Sequence, residues 1–362
     1  MKRKGTAVWL AAAVLFTALA GCSHNGGRNA GGEALPKPSE VKAYLTINVT
    51  SYNDPSNPEK GASMNNVCYD IETGEIREIK MEEDIAYTSQ YPLAVYSEYD
   101  NAIYFSERIV FDDGGHGDQL AVYDLDTGEK KILTDNLFAI NQIIPLEDMV
   151  VMSACPYGEG EEKPVYYEKD TGETRIFHMK DNLCVSFLSY NVYTKSLIAA
   201  CFDMEQSRSR SNDYNMEQTT KLVPPDYDIY RLHLDGSEPE IIYSVEEKEI
   251  NRAALDSSGR LLVTEYDENI LFDYNAKTAT YLIDLETGEA AEQTNIDKKL
   301  LTGYSYLCFN GEKNEVFFLG NGKYDTKTYP HGLYKYNYTT DELTMLFRVN
   351  EGYINNFCML AK

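Results

Sequence analysis

The sequence predicts an all-β fold: a six-bladed β-propeller of four-stranded antiparallel blades, closed by a C-terminal strand that joins the N-terminal blade. Three observations predict it. A short turn motif recurs six times, about 50 residues apart. A second kind of hairpin precedes five of these turns. The two ends of the chain supply complementary parts of a single blade.

The recurring turn places an acidic residue, Thr, Gly and Glu between two strands. Gly takes the positive φ that a residue with a Cβ resists, which suits a short hairpin turn. Because a spacing of about 50 residues is the size of a propeller blade, each turn is predicted to join the third and fourth strands of a blade. Four clear and two degraded copies are YDIETGE from Tyr69, YDLDTGE from Tyr123, YEKDTGE from Tyr167, IDLETGE from Ile283, LHLDGSE from Leu232 and YNYTTDE from Tyr336.

Upstream of each turn after the first, a polar or Gly-containing turn enters an apolar strand, as expected for the first and second strands of a blade. These five hairpins are Ser97–Glu107, Ile143–Ser153, Tyr190–Ala200, Leu255–Tyr266 and Phe309–Gly320.

The first repeat lacks that hairpin and contains only Ala43–Val49, Val67–Ile71 and Ile76–Lys80. The segment Gly352–Leu360 is a lone strand with no partner of its own. We expect it to pair with Ala43–Val49, since closing the ring removes sheet edges that would otherwise aggregate.

Residues 41–362 resemble the six-bladed, TolB-like propellers built from PD40 repeats. Blades of that family carry a Ser-Pro-Asp-Gly turn before the second strand and an Asp-x-x-Thr-Gly-Glu turn after the third. The second signature is clear in four blades here. The first is eroded, and Leu255–Gly259 is its nearest copy. The resemblance implies the fold and no particular function.

The first 40 residues read as an export signal and a tether. Lys2, Arg3 and Lys4 precede an apolar run, Ala7–Ala20, that is too short to span a bilayer. The ending Leu-Ala-Gly-Cys resembles the lipobox of bacterial lipoproteins, which implies cleavage after residue 21 and diacylation of Cys22. We therefore predict a signal peptide over 1–21, a lipidated Cys and flexible tether over 22–40, and a membrane-anchored, extracytoplasmic propeller over 41–362.

The composition is that of a folded, acidic protein. The 362 residues are 43% hydrophobic, and 58 Asp and Glu outnumber 33 Lys and Arg, giving a net charge of −25. Such a charge repels nucleic acids and anionic membrane surfaces. Trp9 is the only Trp, which argues against WD40, sialidase and tryptophan-docked quinone propellers.

Ligands are expected on the face formed by the loops between second and third strands, because those loops are long and loops on rigid scaffolds commonly bind. We call it the long-loop face, and the opposite face the short-turn face. The predicted loops are Thr50–Asn66, Arg108–Asp118, Cys155–Lys163, Asp203–Asp226, Asp267–Lys277 and Asn321–Gly332.

These loops carry Tyr and Asp side chains, and both suit polar ligands or protein interfaces. No metal site or resident cofactor is predicted. Calcium is an alternative for the segment Phe111–Asp118, although its spacing is not that of an EF-hand and a solvated acidic loop is the favoured interpretation. A two-His metal site is a weaker alternative to two unrelated surface histidines. The predicted ligand-binding residues are Asp112, Asp113, His116, Asp118, Asp267, Asp273, Tyr274, Tyr324 and His331.

Motifs for catalysis are absent from the sequence. No Gly-x-Ser-x-Gly elbow, P-loop or Gly-x-Gly-x-x-Gly turn occurs, so we predict no catalytic residue. The cysteines after Cys22 are interpreted mainly as small buried hydrophobes, with a Cys184–Cys201 bridge left open.

The favoured function is that of a monomeric, surface-anchored binding or scaffold lipoprotein for a protein or cell-envelope partner. One alternative is a carbohydrate-active enzyme or glycan-binding protein that uses loop carboxylates and tyrosines near the pore. A sensor of a small solute at the pore is another.

Overall fold

Six four-stranded antiparallel sheets form the blades of a propeller, as the sequence predicts. The computed structural model describes residues 41–57, 60–81, 92–180, 182–216, 222–266, 278–293, 296, 307–311, 313–320, 327 and 329–362. The predicted signal peptide, Cys22 and the tether lie outside the described residues. Within those ranges, no helix has the length and apolar composition that crossing a membrane requires.

Each blade runs from a buried first strand to an exposed fourth strand, which places the first strands at the centre of the ring. The first half of the chain contains β1 (Ala43–Tyr52), β2 (Ala62–Asp70), β3 (Ile76–Lys80), β4 (Ala94–Ser97), β5 (Ala102–Val110), β6 (His116–Asp124), β7 (Lys130–Ile132), β8 (Leu137–Pro145), β9 (Met149–Pro156), β10 (Lys163–Glu168) and β11 (Thr174–Ile176).

The second half completes blades 4 to 6 and carries a helix between the second and third strands of blade 4. Its elements are β12 (Leu183–Asn191), β13 (Ser196–Asp203), α1 (Met204–Asn215), β14 (Tyr227–Leu232), β15 (Glu240–Val245), β16 (Glu249–Leu255), β17 (Leu261–Tyr266), β18 (Thr278–Ile283), β19 (Ala290–Glu292), β20 (Leu307–Phe309), β21 (Glu315–Gly320), β22 (Gly332–Asn337), β23 (Glu342–Phe347) and β24 (Tyr353–Ala361).

The predicted ring closure is confirmed. Strand β24 is the first strand of blade 1 and pairs antiparallel with β1 from Ala43 opposite Ala361 to Thr50 opposite Tyr353. The sheet order β24-β1-β2-β3 therefore joins the last residues of the chain to the first described strand. On the neighbouring side, residues of blades 1 and 6 share one buried hydrophobic cluster, which includes Leu45 and Phe317.

The recurring turn folds as predicted, and its residues explain the motif. In blade 2, Asp124 Oδ1 accepts hydrogen bonds from the amides of Asp126 (2.8 Å) and Thr127 (2.9 Å). The Thr127 hydroxyl accepts from the Glu129 amide at 3.3 Å, and Gly128 has a φ of +72°. The turn thus satisfies its own backbone amides, which stabilises a tight reversal at the surface.

Buried side chains form hydrogen bonds between adjacent blades. The Gln119 amide group of blade 2 donates to Leu137 O at 2.6 Å and accepts from Leu137 N at 3.2 Å in blade 3. Asn191 Nδ2 of blade 4 donates to Leu255 O of blade 5 at 2.8 Å. These bonds satisfy backbone groups on the unpaired edges of inner strands.

The first hairpin of blade 4 reaches across the short-turn face. Val192 and Tyr193, in the turn after β12, pack in the buried cluster of blades 1 and 6. The Tyr193 hydroxyl lies 3.4 Å from Asn310 Oδ1 of blade 6. This turn therefore closes part of the centre of the ring on that face.

The loops of the long-loop face are shorter than predicted where the strands extend into them. In blade 2, β5 and β6 stay paired up to Val110 opposite His116, so only Phe111–Gly115 remains as loop. In blade 1, β1 and β2 likewise stay paired up to Tyr52 opposite Ala62. In blade 4 the predicted loop contains α1. The blade 5 loop and most of the blade 6 loop lie outside the described residues.

The cysteines of the described chain are free thiols, and five of them are buried. A Cys184–Cys201 bridge is not formed. Cys184 is opposite Phe202, whereas Cys201 is opposite Val185. An offset of one residue places the two side chains on opposite faces of the sheet, where no disulfide can join them.

Candidate functional site

Loops of blades 2, 3 and 4 form a continuous ridge on the long-loop face, which we call the loop wall. It consists of Phe111–Gly115, Tyr157–Glu162 and α1. The rings of Phe111 and Tyr157 lie 4.2 Å apart between centroids, and the Arg208 guanidinium of α1 lies 3.2 Å from Glu161 Oε1. Each loop therefore supports its neighbour in the next blade.

Asp113 organises the blade 2 end of the loop wall. Its Oδ1 accepts from the Gly115 amide at 2.8 Å, and its Oδ2 accepts from the Tyr157 hydroxyl at 2.9 Å. The Gly115 amide and then the Tyr157 hydroxyl lower the pKa of Asp113. The same hydrogen bond raises the pKa of Tyr157, because it stabilises the protonated phenol. Asp113 is thus a carboxylate that positions Tyr157.

Two glycines allow this close approach. A Cβ on Gly115 would overlap the Tyr157 hydroxyl, and one on Gly117 would lie 2.7 Å from the Phe111 ring and overlap Leu137 O. The blade 2 loop therefore contacts blade 3 through backbone atoms, which fixes Phe111 and Tyr157 relative to each other.

Exposed apolar side chains belong to the residues of this contact or directly follow or precede them in the chain. Val110 is 65% exposed, Phe138 is 41% exposed and Tyr157 is 40% exposed. We refer to Val110, Phe111, Asp113, Phe138 and Tyr157 as the aromatic–acidic patch. A shallow cavity of about 560 Å³ lies beside it, lined by Phe111, Asp113, Asp135, Tyr157 and Glu159 among others. The patch combines apolar area with carboxylates and suits an apolar, positively charged ligand surface.

The helix α1 is held by polar contacts, and none of its residues is buried. Asp203 caps it by accepting from the Gln206 amide at 2.9 Å. Gln206 Nε2 donates to Asp226 Oδ2 at 2.8 Å, and Arg210 forms an ion pair with Asp226 at 3.1 Å. These contacts attach α1 to the chain that enters β14.

The predicted site residues are only partly brought together. Asp112, Asp113 and His116 are exposed around the blade 2 loop. The predicted loop position of Asp118 is wrong. Asp118 lies within β6 opposite Arg108 and is fully buried, because the hairpin pairing includes residues that were predicted as loop. It therefore does not contribute to the exposed acidic surface.

His331 is separated from His116 by blade 1. Its Nε2 lies 3.1 Å from Ile354 O of β24, so the His331 imidazole connects blade 6 to the closing strand. Four other predicted ligand-binding residues lie outside the described residues, namely Asp267, Asp273, Tyr274 and Tyr324. In the part of the chain that is described, no group of three or more His, Cys, Asp or Glu side chains is arranged to hold a metal ion. Calcium binding stays the alternative that it was for the segment Phe111–Asp118.

Phe138 and Tyr353 are surface residues that the sequence did not single out. Phe138 lies within a strand that reads as continuous core, so no local signal marks it as exposed. The Tyr353 ring packs against Tyr52 of the neighbouring strand, with centroids 6.1 Å apart and hydroxyl oxygens 3.2 Å apart. Only the ring closure brings these two tyrosines together.

The architecture and this surface define a closed six-bladed β-propeller with a candidate protein-contact patch on its long-loop face. No family model matches the chain, and no curated protein matches it. Solved structures similar to it include a chain of a nidogen/laminin complex, at 9% identity and a TM-score of 0.49, covering 88% of this chain and 98% of that one.

Two further solved structures are also similar to the chain. TolB from Acinetobacter baumannii has 11% identity and a TM-score of 0.49, with coverage of 89% of this chain and 68% of TolB. The β-propeller domain of the Trilobed protease from Pyrococcus furiosus has 12% identity and a TM-score of 0.42, with coverage of 86% and 97%. Identities this low establish no functional relationship.

Proposed function

We propose that this chain is a lipid-anchored, extracytoplasmic binding module whose aromatic–acidic patch contacts a protein partner. The observation that carries the proposal is the exposure of Val110, Phe138 and Tyr157, together with the hydrogen bond that holds the Tyr157 hydroxyl on the Asp113 carboxylate. Aromatic side chains presented in a fixed geometry lose little conformational entropy on binding, and they are enriched at protein interfaces.

The chemistry of the patch specifies a partner surface with apolar and basic groups. Asp112 and Asp113 are exposed next to the apolar side chains, and the chain has a net charge of −25. Opposite charges on the partner would accelerate association and favour one docking orientation. Apolar contact would supply the area-dependent part of the affinity.

Site-specific photo-crosslinking tests the protein-binding proposal. A photoreactive phenylalanine analogue placed at Phe138 or Tyr157 should capture the same protein from cells. The same analogue at Ile241, an exposed residue of the outer strand β15, is the matched control and should not capture it.

Binding of the purified partner then separates a specific contact from simple proximity. Val110→Asp should weaken binding by about tenfold or more without lowering the midpoint of thermal unfolding, because it places a charge in the apolar contact. Equal capture at Ile241, or unchanged affinity of the Val110→Asp variant, would contradict the proposal. A glycan-array signal with turnover would support the carbohydrate-active alternative instead.

The lipid anchor has its own test. Metabolic labelling with an alkyne fatty acid should label the wild-type chain and not a Cys22→Ser variant, and only the wild type should partition into detergent. Labelling that persists in the variant would refute anchoring at this residue.

A further inference from the structure

A cavity of about 460 Å³ opens on the short-turn face, on the opposite side of the ring from the aromatic–acidic patch. Turns of blades 1, 2, 3 and 4 surround it, and we call it the short-turn cavity. Its volume is within the range of small-molecule sites. The proposed partner-binding function does not involve it.

The floor of the short-turn cavity is largely apolar. It contains Tyr44 and Leu360 of blade 1 and Tyr190 and Val192 of blade 4. The Tyr44 hydroxyl is already engaged, since it accepts from the Glu98 amide at 2.7 Å and lies 3.3 Å from Tyr96 O. The Tyr190 hydroxyl has no hydrogen-bond partner among the described residues. It is a polar group that a ligand could satisfy.

Carboxylates and an exposed aromatic ring form the rim. Tyr99 is 61% exposed, and its hydroxyl lies 3.4 Å from Glu147 Oε1. Glu147 and Asp148 are adjacent in the β8–β9 turn, and Asp235 lies across the cavity in blade 4. Two lysines also border it, but Lys362 forms an ion pair with Asp70. Lys195 also lines the cavity, and the Lys169 ammonium lies just outside it.

The protein already holds an ammonium group beside this rim. Lys169 Nζ lies 5.8 Å from the centre of the Tyr99 ring and 5.2 Å from that of Tyr104. It also donates to Asp100 Oδ2 at 2.6 Å. Tyrosine faces and a carboxylate thus accommodate a cation directly outside the cavity, which is the geometry of cation–π recognition.

We propose that the short-turn cavity binds a small organic cation with an apolar body, of the arylalkyl- or alkylammonium class. The apolar body covers Tyr190, Val192 and Leu360. The ammonium group lies at the rim beside Tyr99, Glu147 and Asp148. The strong negative charge of the chain raises the local concentration of such cations, while the cavity supplies the selectivity for an apolar body.

Three probes of similar size test the proposal by calorimetric titration of the full-length chain in detergent. They are 2-phenylethylammonium, 2-phenylethanol and phenylacetate. The cation should bind about tenfold more tightly than the alcohol, and phenylacetate should not bind measurably. Equal affinity for the three probes, or no heat from the cation at about 10 mM, would overturn the proposal.

Variants separate a local site from the general charge of the protein. Glu147→Gln with Asp148→Asn should reduce the affinity for the cation to that for the alcohol and leave the alcohol unaffected. The matched control is Glu286→Gln with Glu289→Gln, which removes two exposed acids from a turn on the same face in blade 5. If this control weakens cation binding equally, attraction is nonspecific and the proposed site is wrong. Tyr190→Phe should weaken the binding of the alcohol and of the cation alike, because it removes the hydroxyl that the ligand contacts.

Discussion

The side-chain amide of Gln142 forms two hydrogen bonds with the backbone of Leu188. Gln142 Nε2 donates to Leu188 O at 2.8 Å, and Gln142 Oε1 accepts from Leu188 N at 2.8 Å. Gln142 is buried in β8 of blade 3, and Leu188 is fully buried in β12 of blade 4. The Gln142 side chain thus hydrogen-bonds to the backbone of Leu188 as a neighbouring strand would. Gln119 does the same for the backbone of Leu137 between blades 2 and 3.

Replacing Gln142 by Leu should destabilise the fold by about 2–4 kcal/mol, because two buried backbone groups of Leu188 lose their partners. Denaturant unfolding measures the change. Gln293→Leu is the matched control, since the Gln293 side chain is near the surface and donates to Ala291 O, two residues away. An effect of Gln142→Leu no larger than that of the control would show that water replaces these bonds.

Ring closure depends on Gly352, which has a φ of +71°, and a Cβ there would lie 2.5 Å from Thr50 O and overlap Ser51 Oγ. Gly352→Ala should lower the free energy of unfolding by more than about 2 kcal/mol. Gly236→Ala is the control, since Gly236 has a φ of +79° and no atom near its Cβ position. The difference in the free energy of unfolding between the two variants measures the effect of the close contact between Gly352 and β1. Equal losses in the two variants would contradict a role for that contact.

The repeated turns should make stability depend on acidic pH. Bonds from the Thr127 amide to Asp124 and from the Thr287 amide to Asp284 lower the pKa of both carboxyls. A carboxyl group whose pKa is lowered by folding stabilises the folded protein at pH values above the pKa that the group has in the unfolded chain. This stabilisation is lost as the pH falls below about 5.

We therefore expect Asp124→Ala to lower the thermal midpoint at pH 7 and to differ less from wild type at about pH 3. Asp126→Ala, in the same turn, is the control, because the hydrogen bonds from the turn amides go to the Asp124 side chain and not to that of Asp126. A difference that is constant with pH would show that the Asp124 carboxylate is not the stabilising group.

The thiols should react slowly until the protein unfolds. Burial raises the pKa of Cys155 to about 11 and that of Cys184 to about 11. Little thiolate is then present near pH 8, and the thiolate is the reactive form. In a Cys22→Ser variant, a disulfide reagent should titrate six thiols in denaturant without reductant. Fewer than six would reveal a disulfide, and fast native reaction would contradict the burial.

Local patterns predicted the turns and hairpins well because their physics is local. The Asp-x-x-Thr-Gly-Glu motif contains the acceptors, donors and positive-φ glycine that its own turn needs, so it could be identified wherever it recurs. The number of copies and the lone strand at the C-terminus were then enough to predict six blades and the pairing of β24 with β1.

The candidate site was predicted less completely, because its parts come from different blades. Asp118 was predicted as the last residue of the loop Arg108–Asp118, yet the pairing of β5 with β6 extends to include it. The contact of Asp113 with Tyr157 joins blades 2 and 3, and the short-turn cavity joins four blades. No spacing in the sequence encodes such distances.

The sequence by itself determined the repeated unit, the number of blades and the way in which the ring closes, because hydrogen bonding within turns and side-chain alternation within strands are short-range. Tertiary structure alone decided which side chains face each other across blades. Packing between sheets fixed the Gln142–Leu188 bonds, exposed Phe138 and left the short-turn cavity open, since side-chain burial depends on neighbours that are distant in sequence.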